Sequence, residues 1–294
     1  MIKDIIAAVA SGKRFLITAH VRLDGDALGS ELALCRLLSD LGKEAVVCNQ
    51  DATPGHYRFL PGAERIVHDP VRPELYDVGF VLDCSELERV GEIAADVARI
   101  PTLINIDHHV SNGGFCALRL LDPKASSTGE LLYRLMREMR AVMTGDICTN
   151  LYAAILTDTG GFRYSSTRQE TLRAAGDLVK GGADPQWISE NIYESDPPAK
   201  LQLLARVLET LEMDLDLGIA SMTVTEEPAA LMTCGPLPTA SRFLLLSMRT
   251  PSHSKQSQKA LRIDQSFSPM PAVKTRVSMP HMEVAISAAL AAIL

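Results

Sequence analysis

"PTLINID", residues 101–107, decides how this 294-residue chain is read. It is a near-continuous apolar run that closes on an acid. His108 and His109 follow at once, so the longer stretch "NIDHHVSN" (105–112) sets three ionisable side chains where a strand ends. An apolar run of this length reads as a strand buried on both faces, the form found in parallel sheets. The same form recurs in "RFLITAH" (14–20), "EAVVCN" (44–49) and "DVGFVLDC" (77–84). Between these runs lie helical patterns. "DALGSELALCRLLSDLG" (26–42) has apolar residues at helical spacing and Gly42 as its C-cap, and "ERVGEIAADVARI" (88–100) reads as a short helix. Buried strands separated by helices predict an α/β fold, a parallel sheet with helices on both faces. Sites in such sheets form beyond the C-terminal ends of the strands.

The acids and histidines fall at those ends. His20, Asp24 and Asp26 follow the first strand, Asp83 ends "VGFVLD", and Asp107, His108 and His109 end "TLINID". Asp158 ends the helix "YAAILTD". Taken singly, each has a bland reading as a cap, a polar turn or a solvated loop. Together they would crowd several carboxylates at one sheet edge, and unit charges about 4 Å apart repel by a few kcal/mol in a partly buried setting. No Lys or Arg recurs at these positions, so divalent metal is the natural counter-charge. Mixed carboxylate and imidazole ligands suit Mn²⁺ and similar borderline ions. They outnumber the needs of one ion, and two ions about 3.5–4 Å apart would use them all. The reaction class that follows is metal-assisted phosphoester hydrolysis.

Further along, "SSTGELLYRLMREM" (126–139) reads as a helix opened by Ser126, Ser127 and Thr128. These are caps on one view; on another, a helix N-terminus with free N–H groups is an anion site. "DICTNLYAAILTDTG" (146–160) is a helix. Thr167 and Glu170 form a capping box ahead of "QETLRAAGDLVKGG". "ESDPPAK" (194–200) carries two prolines and reads as a linker, which divides the chain into 1–190, a linker at 191–200 and a smaller region at 201–294. Composition shifts after residue 233. Residues 234–294 hold seven Lys and Arg against two Asp and Glu, and one of the 19 glycines.

Bulk composition narrows the function. The net charge is −7, with 47% hydrophobic and 22% charged residues. An acidic average field does not attract polyanions, so a phosphate-bearing substrate must meet its positive charge in metal ions or a few local cations. The six cysteines form no CxxC pair and read as reduced, buried side chains of a cytoplasmic protein. The opening "MIKDIIAAVASGKRF" reads as neither signal peptide nor membrane span, and the closing "VAISAALAAIL" is too short to cross a bilayer.

The ordered set "HVRLDGDALGS" (20–30), "VLDCSE" (81–86), "NIDHHVSN", "SSTGE" (126–130) and "LYAAILTDTGGFRYSST" (151–167) resembles the DHH phosphoesterase superfamily. RecJ-like exonucleases belong to that superfamily. The likeness is greatest to its short two-domain bacterial branch of bifunctional oligoribonucleases and 3'-phosphoadenosine-5'-phosphate (pAp) phosphatases. The resemblance implies a hydrolase that cuts short single-stranded RNA to mononucleotides and pAp to AMP. Cyclic- or linear-dinucleotide hydrolysis, or non-catalytic nucleotide binding, stand as alternatives. It implies two Mn²⁺ ions, with Mg²⁺ or Co²⁺ as substitutes. The expected partner is the RNA or nucleotide substrate, with no membrane, and the sequence leaves a homodimer open. One ion would be held by His20, Asp24 and Asp83, and the other by Asp26, Asp83, His108 and Asp158. Asp107 would orient His108, and His109 would reach a phosphate oxygen or the leaving group. Ser126, Ser127, Thr128 and Arg163 would sit near the substrate phosphates. The family's C-terminal DHHA1 domain carries a glycine-rich segment that this sequence lacks. From about Cys234 onward the chain is expected to depart from that domain, as an altered reading frame would make it do, or else as a divergent domain.

Overall fold

The computed structural model describes residues 2–214, 219–224, 242–249 and 274–278. The chain forms two compact units, Met1–Ser195 and Asp196–Leu294. The first is built on five parallel strands: β1 (Arg14–Thr18), β2 (Glu44–Val47), β3 (Val78–Leu82), β4 (Thr102–Asp107) and β5 (Leu118–Leu121), in the order β2-β1-β3-β4-β5. Every pairing is parallel. Strand β3 is buried from end to end, and β1 and β4 are buried after their first one or two residues, as their apolar runs require.

One face of the sheet carries the helices. They are α1 (Ile2–Ser11), α2 (Gly25–Asp40), α4 (Thr128–Glu138), α5 (Gly145–Asp158), α6 (Gln169–Lys180) and α7 (Pro185–Tyr193). Phe15, Ile17, Phe80, Leu82, Ile104 and Ile106 point to this side and pack with residues of these helices. Leu16 and Val81 point the other way, into a smaller cluster with Val90, Val97 and Ile100. The opposite face is covered more thinly than the sequence suggests. Residues 88–100 are not one helix but a 3-10 segment, Leu87–Ile93, followed by the single turn α3 (Ala94–Val97). Gly91 breaks the run. Its φ is +82°, and a Cβ there would lie 2.0 Å from the Gln50 side-chain oxygen.

Helices α2 and α5 pack closely because the chain supplies glycine where they touch. A Cβ on Gly29 would stand 2.3 Å from the Asn150 carbonyl oxygen. At the start of α2, a Cβ on Gly25 would stand 2.5 Å from Thr157 near the end of α5, and this close approach sets Asp24 and Asp26 near Asp158.

Strand β5 was not apparent in the sequence. It is four residues long, sits at the sheet edge and is only half buried, so it lacks the apolar run that marks the others. The expected capping box before α6 is shifted by one residue: the Arg168 N–H donates to the Thr171 hydroxyl at 3.2 Å, and α6 starts at Gln169. The expected linker at 191–200 includes the end of α7 and the start of α8 (Pro198–Glu209), leaving 194–197 as the non-helical connection.

The second unit holds α8 and a four-stranded sheet, β6 (Glu212–Asp214), β7 (Ile219–Val224), β8 (Arg242–Arg249) and β9 (Lys274–Ser278), in sequence order. The pairings are antiparallel, antiparallel and parallel. Apart from β8 and β9, residues 234–294 lie outside the described residues, and with them the expected departure of the tail. No helix among the described residues is long and apolar enough to cross a membrane.

Candidate metal centre

The sheet order reverses at β1: β2 lies on one side of it and β3 and β4 on the other. A crevice opens at such a point, outside the C-terminal ends of the strands. His20 lies two residues past β1, and Asp83 directly follows β3. The register Leu82↔Ile106 carries Asp83 alongside Asp107, and the Asp83 N–H donates to the Ile106 carbonyl at 3.0 Å. Asp83 holds φ at +54°, a left-handed backbone that a non-glycine residue seldom adopts. Nothing in the sequence announces this turn, which aims a carboxylate that is 2% exposed into the crevice.

Three groups of donors converge here, each with its ligand atoms within 4.8 Å of one another: His20, Asp24 and Asp83; Asp26, His108 and Asp158; Asp83, His108 and His109. His20 Nε2 is 3.3 Å from Asp83 Oδ2 and 3.5 Å from Asp24 Oδ2. Its Nδ1 lies 2.9 Å from the Val21 carbonyl, which fixes Nδ1 as the protonated nitrogen and leaves Nε2 facing the carboxylates. Asp24 divides its oxygens. Oδ1 accepts from the Ala27 N–H and caps α2, while Oδ2 faces His20. On the other side, His108 Nε2 is 3.1 Å from Asp158 Oδ2, 3.7 Å from Asp83 Oδ1 and 3.8 Å from Asp26 Oδ2. Asp83 stands between the two sets and reaches both.

The "SSTGE" segment serves the site from beneath. Ser126, Ser127 and Thr128 are fully buried. The Ser126 hydroxyl donates to Glu130, Ser127 caps α4 by accepting from the Glu130 N–H, and the Thr128 hydroxyl donates to Asp83 Oδ1 at 3.0 Å. The free N–H groups at the start of α4 do bind an anion, but that anion is Asp26: Thr128 N and Gly129 N donate to its two oxygens at 2.7 and 2.8 Å. With buried hydroxyls and occupied N–H groups, these residues hold Asp26 and Asp83 in place. Arg163 is exposed on the turn after α5, its Nε donating to the Gly160 carbonyl at 2.7 Å.

Asp107 also differs from expectation. Its carboxylate does not orient His108. Oδ1 lies 2.7 Å from His109 Nδ1, and Oδ2 accepts from Asn112 Nδ2 at 2.6 Å. His109 is therefore tied at Nδ1 and presents Nε2. Asn112, which the sequence reading passed over, also donates to the Cys84 carbonyl and to Asn105, binding the loop after β4 to the loop after β3. Glu31 was passed over too. It is fully buried on α2; one oxygen accepts from Asn49 and the other has no partner. Asn49 in turn accepts from the Ala19 N–H, next to His20.

The electrostatics are those of a cation site. Burial, and after it the nearby Asp83, Asp158 and Asp24 carboxylates, push Asp26 well above the usual carboxylate range. Burial likewise raises Asp158, against the pull of His108. Burial opposes the charged form of Asp83, but His20, His109 and His108 outweigh it and hold its carboxyl low. Burial would lower His20, yet its hydrogen bonds to Asp24 and Asp83 prevail and lift it to about 11. His108 is lifted to about 9, its burial outweighed by Asp158. Without a metal ion, protons on these histidines and buried acids must balance the carboxylates. Divalent cations can replace those protons, and the oxygen and imidazole donors present fit such ions.

Residues 14–157 match the DHH family, N-terminal domain. The first unit is a DHH-family domain. The chain is 34% identical over 212 residues to the bifunctional oligoribonuclease and PAP phosphatase NrnA of Thermus thermophilus, covering 72% of this chain and 62% of that protein. The protein of the same name from Bacillus subtilis is 26% identical over 198 residues, 65% of this chain and 61% of its own length. The chain thus spans less than two thirds of each of these two relatives. Among solved structures, an exopolyphosphatase-related protein from Bacteroides fragilis superposes with a TM-score of 0.74 at 29% identity, covering 78% of this chain and 70% of that one. The α/β architecture of the DHH domain is shared with that structure.

Proposed function

We propose that this protein is a metal-dependent phosphoesterase that hydrolyses short oligoribonucleotides to mononucleotides and removes the 3'-phosphate of pAp. The observation that carries this reading is the convergence of two donor sets on Asp83, at the switch point of a DHH domain. The names of the Thermus and Bacillus relatives support the choice of substrates. His20, Asp24 and Asp83 would hold one divalent ion, and Asp26, Asp83, His108 and Asp158 the second, with Mn²⁺ the preferred metal. Bound there, such ions lower the pKa of a coordinated water and neutralise charge on the phosphoryl oxygens.

The chain's own residues supply the rest. The α4 N-terminus and Thr128 fix Asp26 and Asp83, so the ligands need little rearrangement when a metal arrives. His109 keeps its proton more firmly than an ordinary histidine, chiefly through its hydrogen bond to Asp107. With Nδ1 held there, Nε2 is the nitrogen that can donate to a phosphoryl oxygen or to the leaving oxygen. Only about a third of its side chain is exposed, so that bond would form in a partly dry environment. Arg163 is proposed as an outer cation for a second phosphate.

The test is hydrolysis of a 5'-labelled RNA dinucleotide and of pAp with Mn²⁺, by wild type and by Asp83→Ala. The proposal predicts turnover of both by wild type and of neither by the variant. Equal activity in both proteins, or none in wild type with metal bound, would reject it.

A further inference from the structure

Two tyrosines flank the end of α5, where Asp158 stands. The chain after Asp158 folds back on itself: the Arg163 and Tyr164 N–H groups both donate to the Thr159 carbonyl, at 2.9 and 3.0 Å. This turn lays the Tyr164 ring over Gly160, where an added Cβ would stand between 2.4 and 2.8 Å from three ring carbons. From another side, Tyr193 at the end of α7 donates its hydroxyl to the Leu156 carbonyl at 3.3 Å. Gly160 and Leu156 each lie two residues from Asp158, and two residues of chain span no more than about 7 Å. The Asp158 carboxylate is itself 3.1 Å from His108. Both rings are thus anchored beside a donor of the metal centre. Tyr57 ties them to its other side: its hydroxyl accepts from the Gly25 N–H at the start of α2, and burial, then the Asp24 carboxylate and Tyr193, raise its pKa.

The two rings are also open to solvent. Phe115, Trp187, Tyr164 and Tyr193 are the exposed Phe, Tyr and Trp side chains among the described residues, and the last two, 40% and 46% exposed, are the pair at Asp158. Arg163 is their neighbour: burial raises the Tyr193 hydroxyl, the Arg163 charge opposes that rise, and Tyr164 adds to it. Exposed aromatic rings beside a cation are the surface on which single-stranded nucleic acid stacks its bases. A tyrosine ring already held in place gives up little freedom when it does so. With a net charge of −7, the chain has no general attraction for a polyanion, so recognition beyond the metal centre must be local. We infer that Tyr164 and Tyr193 form the base-stacking surface of this site, receiving the nucleobase next to the scissile phosphate. The inference rests on the phosphoesterase reading for a phosphate at the metal centre, but the demand for a base is read without turnover.

The experiment is calorimetric titration of two ligands into the full chain in excess chelator. One is an adenine dinucleotide with a neutral methylphosphonate link, which is not cleaved and needs no metal to offset its charge. The other is the same molecule with either base removed in turn. Wild type is compared with Tyr164→Leu, Tyr193→Leu and Tyr164→Phe, each checked for folding by circular dichroism. The inference predicts that wild type binds the complete ligand and loses about tenfold in affinity when one of the two bases is removed. Each Leu variant should lose about tenfold for the complete ligand and little for the ligand lacking that base, and Tyr164→Phe should bind as wild type does. No binding of the complete ligand, equal affinity for both ligands in wild type, or equal loss for both ligands in the Leu variants would overturn it. The comparison of ligands in wild type decides the matter even where a variant fails to fold. Base-dependent binding in a protein that cleaves neither RNA dinucleotide nor pAp with Mn²⁺ would leave the inference standing and reject the phosphoesterase reading alone.

Discussion

Glu31→Gln should reverse its effect on stability as pH rises. Glu31 has no exposed surface, a single hydrogen bond at 2.9 Å from Asn49, and an oxygen without a partner. Burial raises its pKa from 4.5 to about 8, with the Asn49 hydrogen bond and His20 opposing the rise. The folded protein therefore keeps Glu31 neutral up to about pH 8, whereas the unfolded chain ionises it above about 4.5. Between those values the folded state binds more protons, so stability falls as pH rises through that window and levels off beyond it. At about 1.36 kcal/mol per pKa unit, the interval sets a ceiling of ~5 kcal/mol, and relaxation around the charge would reduce this to roughly 2–4 kcal/mol. Gln cannot ionise, so the variant lacks this loss. Near pH 5 it should be the less stable protein by about 1–2 kcal/mol, because its amide places an unpaired donor beside the orphan position. By pH 8.5 it should be the more stable. Urea unfolding of both proteins in excess chelator, from pH 5 to 9, checks this, since chelation removes metal linkage and the other buried acids cancel in the difference. A difference that stays constant with pH would refute the reasoning.

The contact between α2 and α5 leaves no room for a side chain at Gly29, so Gly29→Ala should destabilise the protein by about 1–3 kcal/mol in urea unfolding. Asp107→Asn should free His109 while leaving the two metal sets intact; turnover should fall roughly 10²-fold, within the range for lost acid–base assistance, with metal stoichiometry unchanged by equilibrium dialysis. Metal affinity should rise with pH. His20 and His108, raised to about 11 and about 9 in the metal-free protein, each lose a proton on ligation. Apparent affinity for Mn²⁺ should increase about tenfold per pH unit for each imidazolium proton displaced, measured by chelator competition at pH 6, 7 and 8.

Four of the five strands and most of the helices that carry the centre were legible because their signals are local. Apolar runs ending in an ionisable residue, His20, Asp83 or Asp107, mark β1, β3 and β4, and the ionisable residues at those ends are the ones the fold gathers. What escaped depends on contacts distant in sequence. Edge strand β5 is defined by pairing with β4 rather than by its own composition. The break at Gly91 answers to Gln50, and the partner of Asp107 is chosen by how the loop to Asn112 folds back. Ser126, Ser127 and Thr128 looked like an anion site and are one, yet the fold fills it with Asp26 from α2, a hundred residues away. The left-handed turn at Asp83 had no glycine to announce it. Glu31 reads as an ordinary polar position within a helix, and its burial beside Asn49 is set by residues far from it in sequence.

The central claim is that Asp83 joins two metal sites. Titration of the chelated protein with Mn²⁺, followed by the loss of the free-ion electron paramagnetic resonance signal, measures it directly. The account predicts two ions per chain for wild type, with spin coupling between them, and severe loss of both in Asp83→Asn. One ion in wild type, or two retained by Asp83→Asn, would contradict it.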